Sequence, residues 1–324
     1  MLTRRDVAAL LTIEECIAAV ERAFKLHGEG KAAPPGILGV HARGGGFHIK
    51  AGIMNLERSY FAAKLNANFP ENANRFGLPT IQGVIALCDA ENGYPLALMD
   101  SIEITVQRTG AATAVAAKYL ARPDSKVATI CGCGNQGRIS LLALSTIIDL
   151  TKVFVFDSNG ERAQELARDV SSELKIDIEP MAELKNCVRD SDIIITCTPS
   201  KEFFLKKDWI APGTFVAAVG ADSEEKQELD PALFSKSKVV VDLVEQCATI
   251  GELHHALAAG SIYKEQVHAE LGEIVAGKKP GRTAPDEIII FDSTGMALQD
   301  VAAATVVYEK AVNKGIGKLI NLAE

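Results

Sequence analysis

The hydrophobic and polar positions divide the chain into two halves of different texture. In the N-terminal half, apolar residues at 13, 17, 20 and 24 lie on one face of a predicted helix, which begins at a capping box formed by Thr12 and Glu15. From about 36 to 102 the pattern predicts β-strands at 46–54, 60–69, 80–89 and 95–100, separated by turns. An Ala-rich helix is predicted over 103–121.

In the C-terminal half, predicted strands alternate with predicted helices. Helices are expected notably at 136–149, 159–173 and 295–314. The strands are expected at 126–131, 152–157, 176–179, 192–198, 214–219, 238–242 and 287–291. Because alternating strands and helices form βαβ units, this half predicts a parallel, doubly wound α/β sheet.

A glycine-rich turn lies between the first of these strands and the helix that follows it. The sequence Gly132-Cys-Gly134-Asn-Gln-Gly137 has the spacing G-x-G-x-x-G. The first glycine permits the tight turn, the second lets the backbone approach a pyrophosphate, and the third lets helix and strand pack closely. The helix N-terminus, at Asn135 and Gln136, offers N–H groups to the phosphates. This turn predicts a dinucleotide site.

An acidic residue strengthens that prediction. The next predicted strand ends at Asp157, twenty residues beyond Gly137, where a carboxylate meets the adenosine ribose hydroxyls. A carboxylate repels a 2′-phosphate, and Arg162 is the nearest candidate cation. We therefore expect NAD as the cofactor, with NADP less favoured. A glycine-rich turn in an α/β domain that binds no nucleotide is the alternative.

These elements predict two domains. We expect the last helix to pack on the N-terminal part. Residues 1–120 plus 294–324 then form one split α+β domain, and residues 121–293 form an inserted, doubly wound Rossmann domain.

Composition and charge exclude several classes of protein. The 324 residues carry a net charge of −8, and no cluster of Lys and Arg stands out, which argues against nucleic-acid binding. No apolar run reaches the roughly 18–20 residues of a membrane-spanning helix, and no signal peptide is expected at the start. We expect no nucleic-acid or membrane partner.

The cysteines and histidines predict no metal site. The seven cysteines are scattered, mostly in apolar runs, and include no CxxC pair, which suits reduced thiols in a cytoplasmic protein. His254 and His255 are adjacent in a predicted helix and cannot share one face, so we interpret them as a solvated pair.

Several segments, in order along nearly the whole chain, resemble the ornithine cyclodeaminase/μ-crystallin family, most closely its archaeal-type alanine dehydrogenase branch. They are Gly77-Leu-Pro-Thr80, Gln107-Arg108-Thr109-Gly110-Ala111, Gly220-Ala221-Asp222, Lys226-Gln-Glu-Leu-Asp230 and Phe291-Asp-Ser-Thr-Gly295. The resemblance implies a homodimer joined through the β-rich part. It also implies NAD(P)-dependent chemistry on amino acids or imines, with hydride transfer between the substrate Cα and the nicotinamide.

The resemblance assigns three residues to the chemistry. Arg108 corresponds to an arginine that binds the substrate α-carboxylate, a role that suits the guanidinium fork. Lys64 corresponds to a lysine that contacts this carboxylate and is a proposed acid/base. Asp222 corresponds to the residue that handles the amine or activates water on the imine. Without the resemblance, a solvated arginine, a lysine at the sheet rim and an aspartate in a turn remain open.

Further residues are candidates for binding. Thr80, in the predicted strand, contacts substrate or faces the core. Thr109 is placed to reach a cofactor phosphate. Thr196 and Thr198 follow a strand of the nucleotide domain, where a loop commonly covers the cofactor, and Ser293 belongs to a segment expected to close over the nicotinamide.

One stretch departs from the resembled family. Alternation puts His48 and Lys50 on the same face of a strand. The cyclodeaminases have a glutamate at the position of His48 and the alanine dehydrogenases an arginine, while Lys50 replaces a methionine. We interpret Lys50 as joining Lys64 and Arg108 at the carboxylate. Without the glutamate a buried diamino-acid ammonium lacks its anion, which favours a small neutral or acidic substrate. The alternative is that both residues face solvent.

These observations predict an NAD-dependent amino acid dehydrogenase or imine reductase. The first alternative is ornithine cyclodeaminase, a lyase that forms proline and ammonia. The second is a low-turnover binding protein like μ-crystallin, against which the presence of Lys64, Arg108 and Asp222 together argues.

Overall fold

A computed structural model of the chain describes residues 1–321. The helices are α1 (Arg4–Leu10), α2 (Ile13–Gly28), α3 (Asn72–Phe76), α4 (Ser101–Leu120), α5 (Asn135–Ser145), α6 (Gly160–Leu174), α7 (Leu184–Val188), α8 (Val244–Ile250), α9 (Glu252–Ala258), α10 (Leu271–Val275) and α11 (Ala297–Lys314). The strands are β1 (Gly36–Ala42), β2 (Gly45–Asn55), β3 (Ser59–Asn68), β4 (Ile81–Asp89), β5 (Pro95–Asp100), β6 (Val127–Cys131), β7 (Lys152–Phe156), β8 (Asp177–Pro180), β9 (Ile193–Thr196), β10 (Phe215–Ala218), β11 (Lys238–Val241), β12 (Ala269–Glu270) and β13 (Ile289–Asp292). Three short 3-10 segments complete the set, at Lys207–Trp209, Pro231–Lys236 and Lys264–Gln266.

The predicted capping box starts α2 as expected. The Thr12 N–H donates to Glu15 Oε2 at 3.1 Å, and the Glu15 N–H donates to Thr12 Oγ1 at 3.4 Å. These two bonds satisfy N–H groups that have no partner within the helix. The face carrying Ile17, Val20 and Phe24 is buried, which confirms the predicted helix.

The chain forms two compact units. The first consists of Met1–Arg108 with Met296–Glu324, and the second of Thr109–Gly295. Helix α4 runs across the first boundary, so the change of unit falls within this helix, whereas the sequence pattern places it after the helix.

The first unit contains an antiparallel sheet in the order β1-β2-β3-β4-β5. One face packs against α11, where a side chain at Gly52 would lie 3.1 Å from the Leu298 side chain. Strand and helix therefore pack closely at Gly52, and a larger residue there would require the Leu298 side chain to shift. The predicted strands of this region are confirmed to within two residues at each end.

The other face of this sheet is apolar and exposed. Residues directly opposite in antiparallel strands share a face, and one such row runs from Leu38 through Ile49 and Leu65 to Val84. Leu38 is 56% exposed, and Leu65 and Val84 are also exposed. A continuous apolar surface of this kind is typical of a protein–protein contact.

The second unit contains a parallel sheet in the order β12-β11-β13-β10-β9-β6-β7-β8. This sheet and the separate antiparallel sheet confirm the predicted fold class. The short elements between residues 243 and 286 are additions that the pattern did not reveal, because elements of two to seven residues show no clear periodicity. None of the helices within residues 1–321 is long and apolar enough to cross a membrane.

Candidate functional site

Two lysines lie side by side on the sheet of the first unit. Lys50 of β2 is directly opposite Lys64 of β3 in the antiparallel register. Opposite residues share a face, so both lie on the face that α11 covers. Lys64 is 3% exposed. The face that carries these cations is the reverse of the apolar row through Leu65.

A buried aspartate pairs with Lys64. Lys64 Nζ lies 2.8 Å from both Oδ1 and Oδ2 of Asp300, in the first turn of α11. Arg108 of α4 places Nε 3.2 Å from the same Oδ1 and donates from Nη1 to Gln299 Oε1 at 3.0 Å. All four side chains are buried. One carboxylate therefore joins the proposed proton carrier to the proposed carboxylate-binding arginine.

This environment changes the proton affinity of Lys64. Burial, together with the positive charges of Arg108 and Lys50, lowers the pKa of Lys64 from 10.5 to about 7, while Asp300 opposes the shift. Burial also acts to raise the pKa of Asp300, but the charges of Lys64 and Arg108 outweigh it and hold that pKa below its usual value. Lys64 can therefore exchange a proton near neutral pH, while Asp300 stays ionised.

Asp300 and Gln299 were not identified from the sequence. The sequence does contain a feature that could have indicated them, because these two polar residues interrupt the apolar run Met296-Ala-Leu-Gln-Asp-Val-Ala at the start of a helix. Polar groups that a helix buries require partners. The partners lie 191 and 236 positions away along the chain, beyond the reach of local pattern.

The other predicted residues of the first unit occupy different surroundings. His48 lies on β2 opposite Asn66, on the same face as Lys50 and Lys64. Thr80 is exposed and lies one residue before β4. Its carbonyl accepts the Phe69 N–H at 2.9 Å. The structure therefore brings His48, but not Thr80, onto the lysine face.

In the second unit, the glycine-rich turn has the geometry that the motif predicts. Gly132 has φ of +102°, and a side chain there would lie 2.9 Å from the Cys197 carbonyl oxygen. A side chain at Gly137 would lie 1.9 Å from the Gly132 carbonyl oxygen, which excludes any other residue without a backbone shift. Gly134, the N-cap of α5, has no atom within 4 Å of the position a side chain would take. The backbone there is open to a ligand.

Polar groups around this turn fit a dinucleotide. Asp157 follows β7, and its carboxylate accepts the N–H of Cys133 at 2.8 Å and of Asn159 at 2.9 Å, which fixes it beside the turn. Gln136 Oε1 is buried and lacks a hydrogen-bond partner among the described residues. Asn135 begins α5, whose N-terminus has no side-chain cap and so presents its N–H groups to a phosphate. These features together fit NAD.

A second buried carboxylate, absent from the sequence-based candidates, organises the neighbouring loops. Glu228 accepts hydrogen bonds from Thr196 Oγ1 at 2.7 Å, the Thr198 N–H at 2.6 Å and the Gly220 N–H at 3.0 Å. Burial raises the pKa of Glu228. The Thr196 hydroxyl is thus directed at this carboxylate, and Glu228 fixes the loops that follow β9 and β10.

Other candidates of this unit are also held by neighbours. Ser293 Oγ donates to Asp242 Oδ2 at 3.1 Å, and the Gly295 N–H donates to the same oxygen at 2.6 Å. Thr109 is buried on α4 and its carbonyl accepts from Thr113. Asp242 therefore holds the segment that contains Ser293.

Asp222 lies in the loop after β10 and is exposed. Its Oδ1 accepts from Lys226 Nζ at 2.6 Å. The side chain is 56% exposed, so a substrate can reach the carboxylate. The carboxyl ends of parallel strands are where such sheets bind ligands.

Metal ligation has no candidate in the described structure. Across residues 1–321, His, Cys, Asp and Glu side chains form no group of three or more that could hold a metal ion. His254 and His255 stack edge to face, with ring centroids 5.1 Å apart. Their ring nitrogens lie within hydrogen-bond distance of backbone carbonyls.

Comparison with known proteins supports these observations. The model of the ornithine cyclodeaminase/mu-crystallin family matches residues 1–315. The chain belongs to this family. Within the family, alanine dehydrogenase of Archaeoglobus fulgidus is 39% identical over 322 residues, which cover 99% of this chain and 97% of the relative. The predicted family, and the predicted similarity to archaeal alanine dehydrogenase, are confirmed.

Two solved structures have nearly the same fold as this chain. A dimeric archaeal alanine dehydrogenase with bound NAD is 39% identical, with a TM-score of 0.94 over 99% of this chain and 98% of the other. Delta(1)-pyrroline-2-carboxylate reductase of Thermococcus litoralis, in complex with NADH and L-proline, is 37% identical. Its TM-score is 0.93 over 98% of this chain and 99% of the other.

Proposed function

We propose that this family member is an NAD-dependent oxidoreductase that acts on the carbon–nitrogen bond of a small amino acid or imine. The observation that carries the proposal is the buried group of Lys64, Asp300 and Arg108, in a chain whose second unit has an open dinucleotide turn. The similarity to alanine dehydrogenase and to an imine reductase crystallised with NADH supports the same class of reaction.

The first unit supplies the groups that bind and deprotonate the substrate. Arg108 and Lys50 hold the α-carboxylate, which fixes the orientation of Cα. Lys64 accepts a proton from the substrate amine in the oxidative direction, because its pKa of about 7 makes the neutral form available at physiological pH. In the reductive direction the same group returns the proton.

The second unit supplies the cofactor site and a second carboxylate. Gly132, Gly134 and Gly137 approach the pyrophosphate, and Asp157 meets the ribose hydroxyls and disfavours a 2′-phosphate. NAD, when bound, supplies a nicotinamide ring that exchanges hydride with the substrate Cα. Asp222 assists addition of water to the imine, with Lys226 holding its carboxylate in place.

The remaining candidates have supporting roles in this proposal. His48 lies at the side-chain end of the substrate pocket, where an ornithine-specific enzyme needs an anion instead. Thr109, Thr198 and Ser293 line the cofactor, together with Asn135 and Gln136; Thr196 acts there through its bond to Glu228.

We propose that the protein works as a homodimer in the cytoplasm. The exposed apolar row from Leu38 to Val84 needs a partner surface, and the archaeal alanine dehydrogenase of the same fold is a dimer. Seven free cysteines among the described residues suit a reducing compartment.

The test is a turnover assay on the purified protein. It is incubated with NADH, ammonia and a panel of 2-oxo acids, and separately with NADH and a cyclic imine, while nicotinamide absorbance is followed. Substrate-dependent loss of NADH is the expected result. Formation of proline and ammonia from ornithine, with catalytic NAD and no net NADH, would instead identify a cyclodeaminase. NADH binding without turnover of any substrate would favour a binding protein.

A further inference from the structure

We propose that Asp300 is a positioning residue, which ties Lys64 to Arg108 so that proton transfer and carboxylate binding depend on one buried carboxylate. This inference rests on the proposed function, since it assigns Lys64 and Arg108 the roles given above. It adds a residue on α11 that neither the sequence motifs nor the proposed roles include.

The first support is the geometry of the carboxylate. Lys64 Nζ is 2.8 Å from each oxygen of Asp300, and Oδ1 is also 3.2 Å from Arg108 Nε. The two cations come from different elements, β3 and α4, and Asp300 contacts both of them. A change in the position of this carboxylate therefore moves both groups together.

The second support is the balance of charge around Lys64. The charged groups that act on Lys64 are Asp300 from α11, Arg108 from α4 and Lys50 from β2. The buried thiol of Cys16, from α2, interacts with Arg108 and Asp300. Asp300 is the single carboxylate among these groups. Burying cations without an anion is costly, so removal of this charge makes Lys64 release its proton more readily.

The third support is the way α11 holds the carboxylate. Asp300 lies in the first turn of the helix, where the helix dipole stabilises an anion. The preceding residue, Gln299, is fully buried and accepts the Arg108 Nη1–H at 3.0 Å. Two consecutive residues of one helical turn thus fix the guanidinium, and Asp300 fixes the ammonium as well.

The experiment compares Asp300→Asn with wild type in the oxidative direction. The pH profile of kcat/KM, the KM for the amino acid and the Kd for NADH are measured. We expect the acid limb of the profile, which reports deprotonation of Lys64, to move to lower pH by about one unit or more. We expect KM to rise about tenfold because Arg108 loses its support, and the Kd for NADH to stay within about twofold.

Two further variants separate positioning from a structural role. Glu309→Gln removes a carboxylate from the same helix, one that accepts a hydrogen bond from Tyr60 Oη at 2.9 Å, and is expected to leave the profile unchanged. Asp300→Glu keeps the charge but displaces it by one methylene group. It should keep the acid limb near that of wild type while KM rises, and it remains informative if Asp300→Asn does not fold.

The outcomes are distinct. A folded Asp300→Asn protein whose profile superimposes on that of wild type overturns the inference, as does an unchanged KM in Asp300→Glu. Absence of substrate-dependent turnover in wild type contradicts the proposed function itself.

Discussion

Replacement of Gly134 by alanine tests whether the glycine-rich turn binds a dinucleotide. Gly134 is the N-cap of α5 with φ of −81°, and a side chain there meets no atom within 4 Å. The folded protein therefore accommodates the methyl group without a clash. The methyl group would, however, interfere with a bound pyrophosphate, because it would occupy the space through which a phosphate oxygen reaches the backbone N–H groups.

The expected magnitudes for folding and binding differ. Glycine and alanine at an N-cap differ by less than about 1 kcal/mol, which shifts Tm by about 2–4 °C at most. Loss of a single hydrogen bond to a charged phosphate costs about 1.5–3 kcal/mol. We therefore expect the Kd for NADH to rise by a factor of about ten or more. The Kd is measured by fluorescence titration and Tm by differential scanning calorimetry.

Gly160 provides the matched control. It is the first residue of α6, and a side chain there also meets no atom within 4 Å. Gly160→Ala should leave the Kd for NADH unchanged. Gly137→Ala should destabilise the protein, because its methyl group would lie 1.9 Å from the Gly132 carbonyl oxygen. If Gly134→Ala binds NADH as tightly as wild type does, the assignment of this turn is wrong.

Three other substitutions give further tests. Asp157→Ser should raise the affinity for NADPH relative to NADH, measured by parallel titrations, because the negative charge that repels a 2′-phosphate is lost; an unchanged ratio would argue against its role. His48→Glu should raise ornithine turnover while NADH binding is kept, since an anion then faces the substrate ammonium; no change in preference would count against our interpretation of this position. The pKa of Lys64 is about 7 in the folded protein and 10.5 ordinarily. Between these values the unfolded chain binds more protons than the folded protein does. The contribution of Lys64 to the free energy of unfolding therefore increases as pH rises. Lys64→Met should remove this increase in stability. If Tm of the variant depends on pH between pH 7 and 10 as wild type does, the lowered pKa of Lys64 is refuted.

Local sequence signals predicted the elements of this fold well. The capping box at Thr12 and Glu15 and the alternating strands are encoded within a few residues, and the structure has them where the pattern indicates. The turn at Gly132 was predictable for the same reason, since two of its three glycines, Gly132 and Gly137, meet steric requirements that arise within the turn or close to it.

The partners of the site residues were not predictable in this way. Lys64 was identified by resemblance, but its carboxylate, Asp300, lies 236 positions away. Glu228, which fixes the loops after β9 and β10, likewise bonds Thr196 across 32 positions. Such contacts depend on how strands and helices pack, and a single sequence does not encode that packing in local periodicity. Burial, which lowers the pKa of Lys64, was likewise a property of the folded chain.

Isotopic labelling tests whether a hydride passes between NADH and the substrate Cα. The protein is incubated with NADH deuterated at the transferable C4 position, ammonia and the 2-oxo acid that supports the fastest NADH oxidation. The amino acid product is then analysed by mass spectrometry. We expect one deuterium at the product Cα. A product that carries no deuterium at Cα, or NADH oxidation without an amino acid product, would contradict this expectation.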